Sequence, residues 1–167
     1  MNNIYNLFKF LEKEDNKKIP FKAKLLLNQD DITENNLTVN GNLNLAWSKI
    51  TKLPDNLTVG GDLYLNWTNI TELPDNLTVG GNLDLFGTKI TKLPDNLTVN
   101  GNLDLQQTNI TKLPNNLTLH GDLNLAGTKI TNLPDNLIIG GNLDLSNTKI
   151  NKLPKNLKVK GKIYKNF

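Results

Sequence analysis

Residues Leu57 to Asn76 read LTVGGDLYLNWTNITELPDN, and this stretch decides the fold. Leu57, Val59, Gly61, Leu63 and Leu65 alternate with polar residues, the period-two signature of extended chain. Gly60-Gly61 lies between two such runs and predicts a bend, because glycine reaches backbone conformations closed to other residues. Thr68, Ile70 and Leu73 follow in a looser segment and are expected to point inward. Pro74 excludes a helix through that point. Twenty residues at roughly 3.3 Å each give a perimeter of about 66 Å, enough for a closed coil with short sides.

Outward from this unit, the pattern repeats without insertion. Units begin at Leu37, Leu57, Leu77, Leu97, Leu117 and Leu137, and a partial unit runs from Leu157 to Phe167. Fixed spacing of this kind predicts equal coils stacked in register, each burying its neighbour's apolar flank. Equivalent residues then form columns about 4.8 Å apart. The asparagine column, Asn56 through Asn156, is placed to form an amide ladder, and a threonine column starting at Thr68 is expected to do the same with hydroxyls. The fold expected is mainly β: a single-domain β-solenoid, leucine-rich-repeat-like, of about six coils with two short strands in each.

The division of the chain follows. Residues 1–36 are read as an N-terminal cap, with a helix over about residues 2–14, since Ile4, Leu7, Phe8 and Leu11 share one helical face. Residues 37–156 hold six repeats, and 157–167 form the partial repeat and a basic C-terminal cap.

Composition narrows the function. The 167 residues include no cysteine, so disulfides, thiol catalysis and cysteine-held zinc are excluded, and a reducing compartment is expected. No N-terminal apolar run resembles a secretory signal, and no stretch approaches the ~18 apolar residues of a membrane span. A cytoplasmic location is expected, the host cytoplasm if the chain is phage-encoded, with no membrane partner. Every basic residue apart from His120 is lysine, and the net charge is +3. The lack of arginine weakens a base-reading or phosphate-reading role.

The units resemble the short bacterial leucine-rich repeat, LPxxLxxLxxLxVxxNxLxx. Leu73-Pro74, Leu77, Leu83, Leu85 and Ile90 fall on that family's positions, and the match repeats over residues 37–167. The family's asparagine is replaced by Ser48, Thr68, Thr88, Thr108, Thr128 and Thr148. A leucine position is taken by Asn, Gly, His or Lys between residues such as Val59 and Gly61, so a straighter β-helix stays open beside the horseshoe. The array also resembles LPDNLTVGG repeats of phage and bacterial proteins. The resemblance implies a solenoid with a binding role. In bacterial effectors of this type a separate cysteine-dependent ubiquitin-ligase domain does the chemistry, and this chain has no cysteine.

Functional information is expected where the repeat is broken. Trp47 and Trp67 share a unit position, Phe86 lies one residue earlier in the next unit, and Tyr64 precedes Trp67 on the same strand. With Asp62 and Asp84 they make the candidate partner-binding site: aromatics with a polar rim, the composition of binding hot spots. The other reading of the same rings is that they fold over the solenoid corner. A second candidate is an electrostatic patch of Lys152, Lys155, Lys158, Lys160, Lys162 and Lys165, read either as protection of an open sheet edge or as a contact for nucleic acid or an acidic protein. Acidic and amide columns (Asn44 to Asp144, Asn42 to Asn142) are expected on one face, and lysine columns (Lys49 to Lys149, Lys52 to Lys152) on another.

No catalytic residue, metal site or cofactor is expected. His120 is the lone histidine and has no nucleophile–acid arrangement around it. GGNLDL lacks the third glycine and the Asp spacing of calcium β-rolls. The function expected is a non-enzymatic protein-interaction solenoid. The alternatives are a small phage-type inhibitor of a host defence or nucleic-acid enzyme, anti-CRISPR-like, or nucleic-acid binding through the lysine cluster.

Overall fold

The computed structural model describes residues 38–165. The N-terminal cap and its helix over residues 2–14 lie outside the described residues. Within them the chain is an all-β parallel solenoid, with two two-residue strands per coil and no helix.

The first strand of each coil follows the leading leucine: β1 (Thr38–Val39), β3 (Thr58–Val59), β5 (Thr78–Val79), β7 (Thr98–Val99), β9 (Thr118–Leu119), β11 (Ile138–Ile139) and β13 (Lys158–Val159). The second follows the glycines: β2 (Leu43–Asn44), β4 (Leu63–Tyr64), β6 (Leu83–Asp84), β8 (Leu103–Asp104), β10 (Leu123–Asn124), β12 (Leu143–Asp144) and β14 (Ile163–Tyr164). Every pairing is parallel and joins residues twenty apart, as in Leu63↔Leu83 and Thr58↔Thr78. The even-numbered strands form one continuous seven-stranded sheet. The odd-numbered strands form two sheets, β1-β3-β5-β7 and β9-β11-β13, with no pairing between β7 and β9.

The core is the set of columns read from the sequence. Leu57, Val59, Leu63, Leu65, Ile70 and Leu73 of one coil are buried, their equivalents stack above and below, and together they make one continuous cluster. Each fully buried leucine or isoleucine stabilises the folded state by about 1.5–3 kcal/mol. Because each coil closes its core only against its neighbours, burial weakens toward the ends of the described stack, at Val39, Leu153, Leu157 and Val159. Leu97, in mid-array, is also only partly buried.

The glycine pair bends the chain between the two strands as expected, but not through a left-handed backbone. Neither Gly60 nor Gly61 takes a positive φ; the only positive-φ glycines among the described residues are Gly87 and Gly127. A Cβ on Gly60 would lie 2.6 Å from the Asn40 carbonyl oxygen, and one on Gly80 would press into the carbonyl of Gly60. The pair is glycine because successive coils pass backbone against backbone there, with Gly80 N–H donating to the Val59 carbonyl at 2.8 Å and Gly81 N–H to Gly61 at 3.0 Å.

The polar columns also differ in part. The asparagine ladder forms over three coils: Asn76 Nδ2 donates to Asn56 Oδ1 at 3.0 Å and Asn96 Nδ2 to Asn76 Oδ1 at 3.4 Å. The threonines do not form a hydroxyl ladder. Thr68, Thr88, Thr108 and Thr128 are buried, and each Oγ1 donates within its own coil to the carbonyl three residues back, Thr68 to Leu65 at 2.7 Å. Each threonine thereby closes a turn that its backbone N–H also closes, with Thr68 N–H to Leu65 at 3.1 Å. A buried hydroxyl needs an acceptor, and the nearest is the turn carbonyl.

Candidate functional site

The seven-stranded sheet presents one side to solvent, and its asparagines and aspartates have structural work to do there. In one column the side-chain oxygen accepts from the backbone N–H two residues on. Asn44 binds Ala46, Asp84 binds Phe86, Asp104 binds Gln106, Asn124 binds Ala126 and Asp144 binds Ser146, at 2.8 to 3.1 Å. These are Asx turns, which bend the chain out of the strand. In the neighbouring column the side-chain oxygen accepts from the next coil: Asp62 N–H to Asn42, Asn82 to Asp62, Asn102 to Asn82, Asp122 to Asn102, Asn142 to Asp122 and Lys162 to Asn142, at 2.6 to 2.8 Å. The ladder is thus continued by side-chain oxygens where the backbone turns away. Lys162 takes the donor's part and offers no acceptor beyond it.

Tyr64, like Tyr164 in the last described coil, interrupts the Asx-turn column. Its hydroxyl donates to Asp62 Oδ2 at 2.9 Å. That hydrogen bond, followed by the charge of Asp62, raises the phenol above its ordinary value.

Beyond the Asx turn comes a tight turn, Leu65 to Thr68 in the second coil, whose third residue takes a left-handed conformation. Trp47 (φ 61°), Trp67 (58°), Gly87 (68°), Gln107 (57°), Gly127 (68°) and Asn147 (58°) all occupy this place. Such a turn favours glycine or asparagine there, since a Cβ meets the following carbonyl. Gly87, Gly127 and Asn147 obey that preference. Gln107 and the two tryptophans do not, and for a residue as bulky as tryptophan this backbone is a genuine outlier.

The rings pack on one another in the open. Trp47 and Trp67 stack with centroids 5.4 Å apart and an interplanar angle of 22°. Phe86 meets Trp67 edge-on, with centroids 5.0 Å apart at 89°. Gly87 makes room for the indole, since a Cβ there would sit 2.9 Å from the Trp67 ring. Trp47 remains 72% exposed and Trp67 42%. Phe86, Tyr64, Asp62 and Asp84 are half-buried. The structure therefore brings Trp47, Trp67 and Phe86 into one cluster, with the Tyr64–Asp62 pair on the strand that leads into the Trp67 turn. The sequence carried a sign of the backbone strain: a column that otherwise holds glycine, asparagine and glutamine is one where tryptophan is costly.

The charge columns are less segregated than their spacing predicts. Lys52 and Lys92 alternate with Glu72 and line an open groove together with Asp55, Asp75 and Asp95, so both signs share that side. The C-terminal lysines surround the last described coil. Lys158 lies in β13, at the edge of its sheet, Lys160 lies in the bend after it, and Lys162 and Lys165 flank β14, where Ile163 and Tyr164 are exposed. Lys152, Lys155, Lys158, Lys160 and Lys162 are exposed and Lys165 is half-buried. No grouping of three metal-ligating side chains occurs among the described residues. No helix among them is long and apolar enough to cross a membrane.

No protein-family model matches the chain, and a search of curated proteins finds no match.

Proposed function

We propose that this solenoid is a non-enzymatic binding module that holds a protein partner on the aromatic cluster of its first three coils, Trp47, Trp67 and Phe86, with Asp62, Tyr64 and Asp84 at its rim. The observation that carries the reading is Trp67: an exposed indole on a left-handed turn residue, at a place where the fold is served by Gly87 or Asn147. A residue held in a costly conformation and turned to solvent points to selection for what it touches outside the chain. Stacked, exposed aromatics on a rigid array lose little freedom on binding, which favours affinity.

The lysine-rich end fits edge protection better than nucleic-acid binding. Its lysines border the edge strands β13 and β14, where cations discourage strand-to-strand association. The leucine-rich-repeat likeness and the inhibitor role that accompanies a phage-type array are narrower forms of the binding reading, in which the partner is an enzyme that the solenoid blocks.

Capture of partners from the native cell, wild type beside Trp67→Ala, tests the proposal. The variant is expected to lose the partner while keeping the far-ultraviolet circular dichroism of the wild type. Recovery of the same partner in equal yield by both proteins overturns it.

A further inference from the structure

The Asx positions of the seven-stranded sheet need an oxygen and do not need a charge. Asn44 and Asn124 make the same Asx turn as Asp84, Asp104 and Asp144, and Asn42, Asn82, Asn102 and Asn142 accept the same inter-coil bond as Asp62 and Asp122. Either side chain supplies Oδ1. Yet the residues of this face, 41–48 and their equivalents through 141–148, carry five aspartates and no lysine, in a chain whose net charge is +3. The lysine column begins only past the tight turn, at Lys49. Two of the carboxylates, Asp84 and Asp104, are in-register neighbours on adjacent strands, where like charges oppose each other. Burial and the Asp84 charge hold the Asp104 carboxyl above its ordinary value, so the fold bears a cost for keeping the charge.

We infer that the partner docks through a lysine- or arginine-bearing protein segment, its cations lying along Asp62, Asp84, Asp104, Asp122 and Asp144 and one of them against the indole of Trp47. This deepens the binding reading above and rests on it. Cations are attracted to the faces of exposed indoles, and Trp47 is the most exposed ring of the cluster. Carboxylates whose charge the fold does not require, on the sheet whose strands lead into the turns of that cluster, are complementary to a basic partner and unfavourable to a nucleic acid.

The test uses intrinsic fluorescence, because Trp47 and Trp67 are the only tryptophans in the chain. The full protein is titrated with a hexaarginine peptide, and with hexaglutamate as control. Wild type is compared with a variant bearing D62N, D84N, D104N, D122N and D144N, which keeps every Oδ1 acceptor, and with a second bearing D55N, D75N and D95N on the groove side. A saturable emission change with hexaarginine alone is expected, weakened about tenfold or more in the five-site variant and by less than about twofold in the groove variant. Absence of a saturable change, or equal weakening in both variants, overturns the inference. In the capture experiment, a partner lost by Trp67→Ala but kept by the five-site variant also overturns it, and leaves the aromatic interface standing. Capture that never depends on Trp67 removes the interface and this inference together.

Discussion

Asn100 and His120 occupy the same place in successive coils, and the strand pairing of the odd-numbered strands lapses between them. Elsewhere at this place a glycine lies above or below any side chain. Gly60 N–H donates to Val39 at 2.7 Å, Asn100 to Val79 at 3.0 Å, Gly140 to Leu119 at 2.8 Å and Lys160 to Ile139 at 3.0 Å. One Cβ at a junction is thus accommodated. Two in succession are not: β7 and β9 are unpaired, and Leu97 beside the gap loses part of its burial. Asn100→Gly is expected to close the junction and join the two odd sheets into one. Each restored hydrogen bond contributes about 1 kcal/mol, so the amides of His120 and Gly121 should gain roughly tenfold or more in protection from hydrogen exchange. Unchanged exchange at both amides would show that the gap has another cause.

Trp47 can be replaced at little cost if its ring serves a partner. Removing it forfeits one stacked contact, worth about 0.5–1.5 kcal/mol, and relieves a left-handed backbone worth about 1–2 kcal/mol. Trp47→Asn, which copies Asn147, is therefore expected to unfold in urea within about 1 kcal/mol of wild type, with an unchanged slope. A loss of about 3 kcal/mol or more would mean that the rings cover the solenoid's corner and stabilise it, and the binding reading would lose its main support.

What the sequence discloses here depends on how many residue types can satisfy a position. Leu63, Ile70 and Leu73 sit where only a large apolar side chain fills the coil, so period and burial are legible from the repeat. Gly60-Gly61 is legible as the bend between two strands, whereas the close backbone approach that also demands glycine there is not, because both requirements leave the same residue in the sequence. The Asx columns look like surface chemistry in the sequence. Their inter-coil hydrogen bonds become visible only once Asp62 Oδ1 is seen 2.7 Å from the Asn82 nitrogen. The aromatic cluster was half legible: adjacency of Trp47, Trp67 and Phe86 follows from the period, whereas the left-handed turn beneath them depends on backbone torsions that residue spacing does not encode.

Asp104 gives the pH dependence a sign. Burial first, then the charges of Asp84 and Asp144, raise its folded value, against lowering by the Gln106 N–H and the Asn124 amide. A raised folded value means the folded chain binds the proton more tightly than the unfolded one. The stability this contributes is present below the unfolded value of about 3.9 and is lost as pH rises through the folded value, leaving a cost at neutrality. Asp104→Asn keeps the Asx turn and should raise the thermal midpoint at pH 7, with the gain vanishing near pH 3. A gain that persists undiminished in acid would place its origin in packing instead of charge.

Ser48 stands in the threonine column as its one serine, and its Oγ is buried without a hydrogen-bond partner among the described residues. In the same place Thr68 Oγ1 donates to Leu65 at 2.7 Å and Thr148 Oγ1 to Leu145 at 2.7 Å. The branched Cβ restricts χ1, which aims the threonine hydroxyl at the turn carbonyl, and its methyl fills space that serine leaves empty. An unsatisfied buried hydroxyl costs about 1–3 kcal/mol. Ser48→Thr is therefore expected to stabilise the chain by about 1 kcal/mol in urea unfolding, and Thr68→Ser to destabilise it by a similar amount. Because the substituted turn carries Trp47 as its third residue, a firmer turn should also blue-shift or sharpen the tryptophan emission. If Ser48→Thr changes neither stability nor emission, the serine hydroxyl already has a partner in solution, and the first coil's turn is as well closed as those that follow it.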